Sequence, residues 1–392
     1  MANTIVKSDI VVPLLGEFER NMQILMNGST QFNKNYVGGH GSTINAVIPS
    51  YGTTSTGASV ASNISAVTGG KVPITLLQYN QAVELTQVQQ ALELSDFEGQ
   101  VGDPYGMKMA SDIQTIAATT IMLAHDTIDV IGSGTAGYSN IGSGIGVIKS
   151  ARAYGEMVGC LSNDLASQVQ NSGLTLFNPS TQISNSFLNG GLGKYRGADW
   201  YETPDIAPLV TGTCTGFTVT SISTEGTTAL AVTAATSGHT LKAGQSFTIP
   251  GHFAVDIYGV ALSSLYQFIV QSDYTFPGTT GTVPVKALYM AAGPLKNISV
   301  SAVVGAVTMS HATSTTYYRG FMWAKPAFVY ASAPMKKLTM VESFMGKSPK
   351  GLTLLGSTGT DIKAGTDIIR WDTLAGFAIL RSNWVRGIHV KV

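Results

Sequence analysis

Residues 103–128 read DPYGMKMASDIQTIAATTIMLAHDTI, and this stretch decides the class of fold. Asp103 and Pro104 favour a helix start, because an aspartate carboxylate accepts the unpaired amide hydrogens of a first turn and proline has no amide hydrogen to leave unpaired. Apolar residues then recur at spacings of three and four, which predicts a spine helix over residues 104–130, about 40 Å long at 1.5 Å per residue. The residues predicted to pack along it are Met109, Ile113, Ile116, Ala117, Thr120, Ala124 and Ile128.

The composition narrows the class of protein. The 392 residues include 23 basic and 23 acidic side chains, and only 12% are charged, against about 25% in an average soluble domain. With 44% hydrophobic residues the chain can bury a core, which argues against a wholly disordered protein. A net charge of zero provides no long-range attraction to nucleic acid or anionic membranes, so a dedicated DNA reader is disfavoured.

The cysteines and the apolar runs indicate in which cellular compartment the protein folds. Cys160 and Cys214 show no CxxC spacing, so neither a disulfide framework nor a zinc site is indicated, and a reducing compartment fits,. The apolar run at residues 10–15 is interrupted by Pro13 and is too short for a signal sequence,. No apolar stretch reaches the roughly 20 residues of a membrane span. We expect neither an export signal nor a transmembrane helix.

Upstream of the helix, residues 37–70 contain no charged side chain. Apolar residues there are interspersed with Gly, Ser and Thr, and residues 71–76 continue with the period of two that is typical of a strand. A loop of this length is usually functional or disordered. We predict an arm over residues 1–36 and an extended loop over residues 37–77 that lies on another protein surface. Its predicted contact residues are Ile44, Val47, Ile48, Val60, Ile64, Val67, Ile74 and Leu76.

Downstream of the spine helix, residues 146–158 predict a second helix, and the character of the sequence then changes. Residues 211–310 contain only three acidic and three basic side chains besides histidine. Short β-rich pieces separated by turn signals occur there at 217–222, 229–233, 246–249, 266–270, 283–290 and 298–309,. Six strands in about a hundred residues predict an inserted all-β barrel over residues 212–309. The domain that precedes this insertion would then comprise residues 78–211 and resume over residues 310–392.

Residues 132–137, Gly-Ser-Gly-Thr-Ala-Gly, match the GxGxxG fingerprint of dinucleotide-binding proteins,. That motif requires a strand before it and a helix after it. Here the preceding residues complete the helical stripe, and the glycine-rich residues that follow disfavour a helix. We therefore interpret the loop as a helix end followed by a flexible turn. A dinucleotide-binding oxidoreductase stays as a remote alternative.

No other motif indicates catalysis. The six histidines are scattered without the spacing of a metal site, and no GxSxG, Walker or catalytic-cysteine signature occurs,. We predict no catalytic, cofactor-binding or metal-binding residue, no cofactor and no enzymatic activity.

Several local motifs match those of one known family. They are Leu176-Phe177-Asn178-Pro179, Gly197-Ala198-Asp199-Trp200 and TLKAGQSFTIPG at residues 240–251, followed by LYQFIV at residues 265–270. With the order of arm, extended loop, spine helix, inserted β domain and returning strands, the chain resembles the tailed-phage and herpesvirus-type major capsid proteins, an α+β fold. It is most similar to the coat-protein subgroup with an inserted β-barrel domain.

The resemblance implies a structural major capsid protein that assembles as hexamers and pentamers into an icosahedral shell around double-stranded DNA, held non-specifically. It implies peripheral and axial domains in a wedge-shaped subunit, with the barrel on the outside of the shell. The implied partners are scaffolding and portal proteins, with room for a decoration protein. The implied location is the virion capsid, after assembly in the host cytoplasm, without a membrane.

The composition agrees with a shell subunit. Obligate interfaces bury about 2,000–5,000 Å² and are depleted of Lys, Glu and Asp at their cores, so a chain with 12% charged residues suits them. The same composition fits another self-assembling virion protein or a surface-layer subunit, and that alternative stays open.

Overall fold

The computed structural model describes most of the chain, in segments. The described residues are 16, 22–31, 42–49, 51, 52, 54, 56, 69–86, 101–173, 192–221, 224–291, 293–337, 341–347, 352–361 and 363–392. Outside them lie Val60, Ile64 and Val67 of the predicted loop and the motif at residues 176–179. The chain divides into two compact units. The first is Met1–Asn45, Pro73–Ala118 and Val329–Ala378, and the second is Ala46–Val72, Thr119–Phe328 and Ile379–Val392.

The described residues form few helices and many strands. The helices are α1 Gln23–Gly28, α2 Asp103–Met122, α3 Tyr138–Ser150 and α4 Asn163–Gly173, with 3-10 turns at Lys325–Ala327 and Ser382–Trp384. The strands are β1 Thr30–Gln31, β2 Thr43–Ile48, β3 Gly70–Thr75, β4 Leu77–Thr86, β5 Thr127–Ile131, β6 Met157–Ser162, β7 Lys194–Tyr195, β8 Ala198–Thr203, β9 Leu209–Val210, β10 Thr218–Ser221, β11 Thr227–Thr233, β12 Thr240–Leu241, β13 Ser246–Thr248, β14 Phe253–Val255, β15 Ala261–Leu265, β16 Phe268–Ile269, β17 Tyr274–Thr275, β18 Gly281–Leu288, β19 Gly305–Ala306, β20 Thr308–Met309, β21 Thr316–Ala324, β22 Phe328–Ala333, β23 Glu342–Lys347, β24 Thr353–Asp361, β25 Thr366–Ile379 and β26 Val385–Lys391.

The first unit is built on a six-stranded mixed sheet in the order β1-β22-β25-β24-β23, with β4 also paired to β25. Along its first half, β25 is hydrogen-bonded on both sides, because Thr366 is in register with Thr86 of β4 and with Asp361 of β24. Trp371 of β25 is fully buried, and the ring of Tyr105 from α2 lies 5.7 Å from it. The long central strand and this aromatic pair anchor the unit.

Helix α2 begins at Asp103 and ends at Met122, so the predicted extension to residue 130 is wrong. Its buried face carries Met109, Ala110, Ile113, Gln114, Ala117, Ala118 and Ile121. Ile116, which we placed on that face, is 39% exposed. The reason is geometric: at 100° per residue the buried face runs from Met109 to Ala118 and is centred near Ala110 and Ala117, and Ile116 lies just outside it, beyond Met109,.

Ile128, predicted to lie on the spine helix, belongs to β5 instead. The five residues Thr127-Ile128-Asp129-Val130-Ile131 include four β-branched side chains, which favour a strand. This strand pairs in parallel with β26, with Ile128 in register with Gly387. Pairing with a strand some 260 residues away in sequence overrides the helical spacing.

The second unit contains a seven-stranded sheet in the order β5-β26-β21-β6-β8-β7, with β9 paired to β21. Helix α3 starts eight residues before the predicted second helix, and residues 157 and 158 of that prediction begin β6. Three glycines in α3, each of low helix propensity, explain the error,. At two of them, Gly142 and Gly144, the helix packs closely against other elements. A Cβ at Gly144 would lie 2.3 Å from the sulfur of Met322, so only glycine lets this helix approach β21.

Residues 212–309 contribute β10 to β20 and no helix within 212–221, 224–291 and 293–309. Their strands form small sheets in the orders β18-β11-β10-β19 and β16-β13-β20, with the pairs β12-β17 and β14-β15. One shared hydrophobic core includes Phe217, Phe247 and Phe268, whose neighbouring ring centroids lie 5.0 and 5.3 Å apart. The predicted strand at 298–309 is reduced to the two-residue strands β19 and β20 and a bridge between Ile298 and Ala254. We call residues 212–309 the all-β segment.

Candidate functional site

The predicted extended loop begins and ends in two paired strands, β2 and β3. Ile48, Ile74 and Leu76 are at most 4% exposed, so these three pack within their own chain, which corrects their assignment as contacts to a neighbour. Ile44 is half-buried, and Val47 is 62% exposed. Val47 is thus the described residue of the predicted set whose side chain is free to contact another molecule.

Immediately after β2, Tyr51 joins a group of exposed aromatic side chains in the second unit. The rings of Tyr51 and Tyr258 meet edge to face with centroids 5.3 Å apart, and Tyr154 contacts the buried Trp384 at 4.7 Å. Tyr154 and Tyr258 are each 56% exposed and Tyr51 is 38% exposed. We call Tyr51, Tyr154, Tyr258 and Arg152 the aromatic surface.

Two arginines hold these rings in place. Arg152 Nε donates to the carboxylate of the buried Asp256 at 2.8 Å, and its guanidinium lies 4.9 Å from the centroid of the Tyr258 ring. Arg381 Nη2 donates to the Tyr51 hydroxyl at 3.0 Å, and its guanidinium lies 5.5 Å from the Tyr51 ring. Burial raises the pKa of Tyr51, and Arg381 opposes that rise. The hydroxyl therefore stays neutral at physiological pH.

Arg152 also carries an unusual backbone conformation. It follows the C-terminus of α3 with φ of 60°, the left-handed region in which glycine is usual,. The strain of a non-glycine residue there is of order 1 kcal/mol, and the contacts to Asp256 and Tyr258 offset it. Rigid Tyr and Arg side chains are the residue types enriched at the energetic centres of protein interfaces. The arrangement is suited to binding another protein surface.

The sequence contained no signal for this surface. Its members and the residues that hold them come from residues 51, 152–154, 256–258 and 381–384, four segments that only the fold brings together.

The glycine loop at residues 132–137 has a different context from the one we predicted. It follows β5 and precedes α3, so the strand and the helix that a dinucleotide fingerprint requires are both present,. Gly134 has φ of 96°, and a Cβ at Gly137 would meet the Ser172 hydroxyl at 3.0 Å. The interpretation of the loop as the end of the spine helix is wrong.

The amides of this loop are nevertheless occupied by the protein itself. The amide nitrogens of Ala136, Gly137 and Tyr138 donate to Gln168 Oε1 at 3.4 Å, Asn140 Oδ1 at 3.1 Å and Ser172 Oγ at 3.3 Å. A pyrophosphate needs these donors at the helix N-terminus. In addition, β26 and β21 separate β5 from β6, whereas a dinucleotide-binding βαβ unit has its two strands side by side,. The loop matches the fingerprint in sequence and in its helix start, but its donors and strand order do not fit a dinucleotide.

His125 and Asp126, adjacent in sequence, are both fully buried. The Asp126 carboxylate accepts hydrogen bonds from Lys286 Nζ and, at 2.8 Å, from Ser382 Oγ. Burial raises the pKa of Asp126, and Lys286 opposes this. The carboxylate is thus engaged in an internal ion pair and not in a dyad with His125. Within the described segments, no three His, Cys, Asp or Glu residues are grouped so that they could hold a metal ion.

The helices of the described residues include none long and apolar enough to cross a membrane.

Comparison with known proteins shows the fold. The sequence matches no protein-family model and no curated protein. The capsid of Ralstonia phage GP4 is similar in structure with a TM-score of 0.51 at 8% identity, covering 94% of this chain and 88% of that one. The mature capsid of bacteriophage PhiM1 has a TM-score of 0.46 at 10% identity, covering 93% of this chain and 86% of that one. The capsid of Helicobacter pylori bacteriophage KHP30 has a TM-score of 0.46 at 10% identity, covering 94% of this chain and 89% of that one.

The likeness to the GP4 capsid extends over nearly the whole of both chains. The chain therefore has a phage-capsid fold with mixed sheets and few helices, and the fold class expected from the sequence is confirmed at that level.

Proposed function

We propose that the protein is a tailed-phage major capsid protein, a structural subunit that self-assembles into an icosahedral head enclosing double-stranded DNA. The observation that carries the proposal is the fold shared with the GP4 capsid over 94% of the chain. The low content of charged residues, 12%, supports it, because subunits of a closed shell need extensive weakly charged contacts,.

Each part of the chain has a corresponding role in the proposal. Residues 1–36 are the N-terminal arm, residues 37–77 the extended loop over a neighbour, and α2 the spine helix. The core of residues 78–211 and 310–392 supplies the peripheral and axial parts, and the all-β segment is the inserted domain on the outside of the shell. The buried core common to β10–β18 supports treating that segment as one folding unit.

The aromatic surface supports contact between subunits in this proposal. One of its exposed tyrosines, Tyr51, itself belongs to the extended loop and lies three residues after β2, and its ring contacts that of Tyr258. Truncating an aromatic residue at the centre of an interface typically costs 2 kcal/mol or more, about a thirtyfold change in the association constant.

The further partners follow from the capsid role. Hexamers and pentamers of the chain itself would form the shell, with scaffolding and portal proteins for assembly and a decoration protein on the outside. The neutral net charge supports a non-specific contact with packaged DNA, because a strongly basic wall would bind DNA tightly,. The protein would act in the virion capsid after assembly in the host cytoplasm, without catalysis or a cofactor.

Electron microscopy of the purified full-length protein, alone and with scaffolding protein, tests the proposal. We expect closed particles of uniform diameter. Tubes or flat sheets would favour a tail-tube or surface-layer subunit, and a protein that stays monomeric under both conditions would contradict assembly altogether.

A matched pair of variants tests the aromatic surface separately. Tyr258→Ser should leave the circular dichroism spectrum of the subunit unchanged and raise the protein concentration needed for assembly more than tenfold. Val304→Ser, which changes an exposed valine of the all-β segment outside the aromatic surface, is the control. Assembly of Tyr258→Ser at the wild-type concentration would show that this surface faces solvent in the particle.

A further inference from the structure

Three buried histidines meet in the second unit. His125 follows α2, His311 follows the all-β segment, and His389 lies on β26. Their exposures are 0%, 4% and 0%. The His389 ring centroid lies 5.0 Å from that of His311 and 6.1 Å from that of His125. Residues more than 60 positions apart in sequence thus place three imidazoles in one cluster, which we call the histidine joint.

The hydrogen bonds of the joint require neutral rings. The amide nitrogen of Ser246 donates to His311 Nδ1 at 3.4 Å, so this nitrogen carries no proton and the ring proton is on Nε2,. His311 Nε2 then donates to His389 Nδ1 at 2.7 Å, which places the His389 proton on Nε2. A second proton on either ring would set two N–H groups against each other. Protonation and the observed hydrogen bonds are therefore incompatible.

His125 is held by packing. Neither of its ring nitrogens makes a hydrogen bond of good geometry to a described residue, and the backbone of Ile121 and Met122 only partly offsets the effect of burial on its pKa. A Cβ on Gly387 would lie 3.2 Å from His125 Nε2, so the glycine in β26 lets this strand pass directly over the ring. A charged imidazolium in this position would be fully desolvated, and this cost outweighs the favourable contribution of the neighbouring backbone,.

The charges that act on the joint oppose protonation. Lys286, on β18, and Arg319, on β21, are the charged side chains whose fields act on the three rings. Asp126 precedes β5, and its carboxylate is engaged by Lys286 and Ser382. Tyr317, also on β21, contributes an uncharged ring 4.9 Å from that of His311.

The pKa values of the histidines reflect these surroundings. Burial, followed by the charge of Lys286, lowers the pKa of His125 to about 3. Burial lowers the pKa of His311 to about 4, and Arg319 adds to the effect. Burial and the neighbouring histidines hold the pKa of His389 well below its usual value.

The joint connects the all-β segment to its surroundings within the second unit. His311 and Ser246 belong to the segment or its end, and the amide nitrogen of Gln267 in the segment donates to the Asp126 carbonyl oxygen at 3.0 Å. We propose that the histidine joint is a proton-sensitive lock, which holds the all-β segment against β26 and the α2–β5 connection at neutral pH and releases it in acid.

The direction of the acid response and its pH range follow from the difference in proton binding between the closed and the released joint. A released joint exposes histidines with an ordinary pKa near 6.5, whereas the closed joint takes up protons only near pH 4 and below,. Between these values the released form binds more protons, so acid favours release. The closed form should lose stability as the pH falls from about 6.5 to about 4, by up to tenfold in the equilibrium constant per pH unit for each histidine.

Hydrogen exchange measured by mass spectrometry on the full-length protein tests the lock. Exchange is recorded at pH 7 and at pH 4.5, with labelling times scaled for the chemical exchange rate at each pH. Peptides from β13, β16, β20 and the start of β26 should lose at least about tenfold in protection at the lower pH. Peptides from β24 and β25, in the first unit, should keep their protection.

Two substitutions carry the test. His389→Asn keeps an acceptor near the position of Nδ1 and removes a titrating ring, and His125→Leu replaces a fully buried titrating ring by an apolar side chain. Each should shift the release to lower pH and reduce the acid-induced loss of protection severalfold. If one of the two variants fails to fold, the acid response of the other variant still tests the proposal. His239→Gln, a histidine of the all-β segment outside the joint, is the control and should behave as the wild type.

Three results would overturn the proposal. They are unchanged protection at pH 4.5, simultaneous loss of protection in both units, and an acid response that His389→Asn and His125→Leu leave unaltered.

Discussion

Replacing Lys286 by methionine should leave a buried carboxylate without its counterion. Lys286 Nζ donates to the Asp126 carboxylate and, at 3.0 Å, to the Ala124 carbonyl oxygen. The side chain of Asp126 is 0% exposed and that of Lys286 is 14% exposed. Methionine can fill much of the space of the lysine stem but donates no hydrogen bond. The Ser382 hydroxyl would remain as a donor to Asp126.

The expected loss is large compared with that of a surface substitution. Removing one partner of a buried ion pair typically costs about 3–5 kcal/mol. For a unit of this size, each kcal/mol lowers the melting temperature by about 2–4 °C, so the melting temperature should fall by on the order of 10 °C.

The loss should also depend on pH. Without Lys286, burial raises the pKa of Asp126 further above that of the unfolded chain,. The folded state of the variant then binds a proton more readily than the unfolded state does. Its stability deficit should therefore shrink as the pH falls towards the ordinary pKa of an aspartate, about 4.

Differential scanning calorimetry of the wild type, Lys286→Met and the double variant Asp126→Leu/Lys286→Met measures these effects. The double variant removes both charges and should recover most of the lost stability. A fall in melting temperature below about 2 °C for the single variant, or a double variant less stable than the single one, would refute the assignment of a tightly coupled buried pair.

Three further pairs of substitutions are predicted from local geometry. Gly144→Ala should destabilise the protein by about 1–3 kcal/mol, because its Cβ would overlap a methionine sulfur, whereas Gly146→Ala has open space around its Cβ and should stabilise α3 by up to about 1 kcal/mol; chemical denaturation compares the two,. Ile113→Ala should cost about 2–5 kcal/mol, and Ile116→Ala, at a 39% exposed position, less than about 1 kcal/mol in the same assay,. Arg152→Gly should be more stable than Arg152→Ala by roughly 1 kcal/mol, since both lose the ion pair but only glycine relieves the positive φ, and equal stability would contradict this account,.

Local features of the sequence identified parts of the fold because they act between neighbouring residues. The cap pair Asp103-Pro104 and the spacing of apolar residues indicated α2, which begins at Asp103. The scarcity of charge over residues 211–310 indicated a segment that proved to be all-β where it is described. Capping, side-chain periodicity and turn propensity depend on a few consecutive residues, so they can be recognised in a single sequence.

The same local features gave wrong predictions where contacts between residues distant in sequence contribute more to stability than local propensity does. The helical spacing continued through Ile128, but pairing with β26 makes these residues a strand. The glycines of α3 argued against a helix, but at Gly144 the close contact with Met322 of β21 requires a glycine. In both places the decisive partner lies more than 150 residues away in sequence, and no local propensity encodes it.

The functional surfaces were decided by tertiary structure alone. In the sequence the histidines were scattered, and only the packing of β26 against the all-β segment and the α2–β5 connection brings His125, His311 and His389 together. The aromatic surface likewise joins Tyr51 to Tyr258 across more than 200 residues. By itself the sequence determined a neutral chain of low charge with one capped helix and a β-rich insertion. The identity of the residues that share a site depends on strand order and register, which are set by the burial of the whole chain.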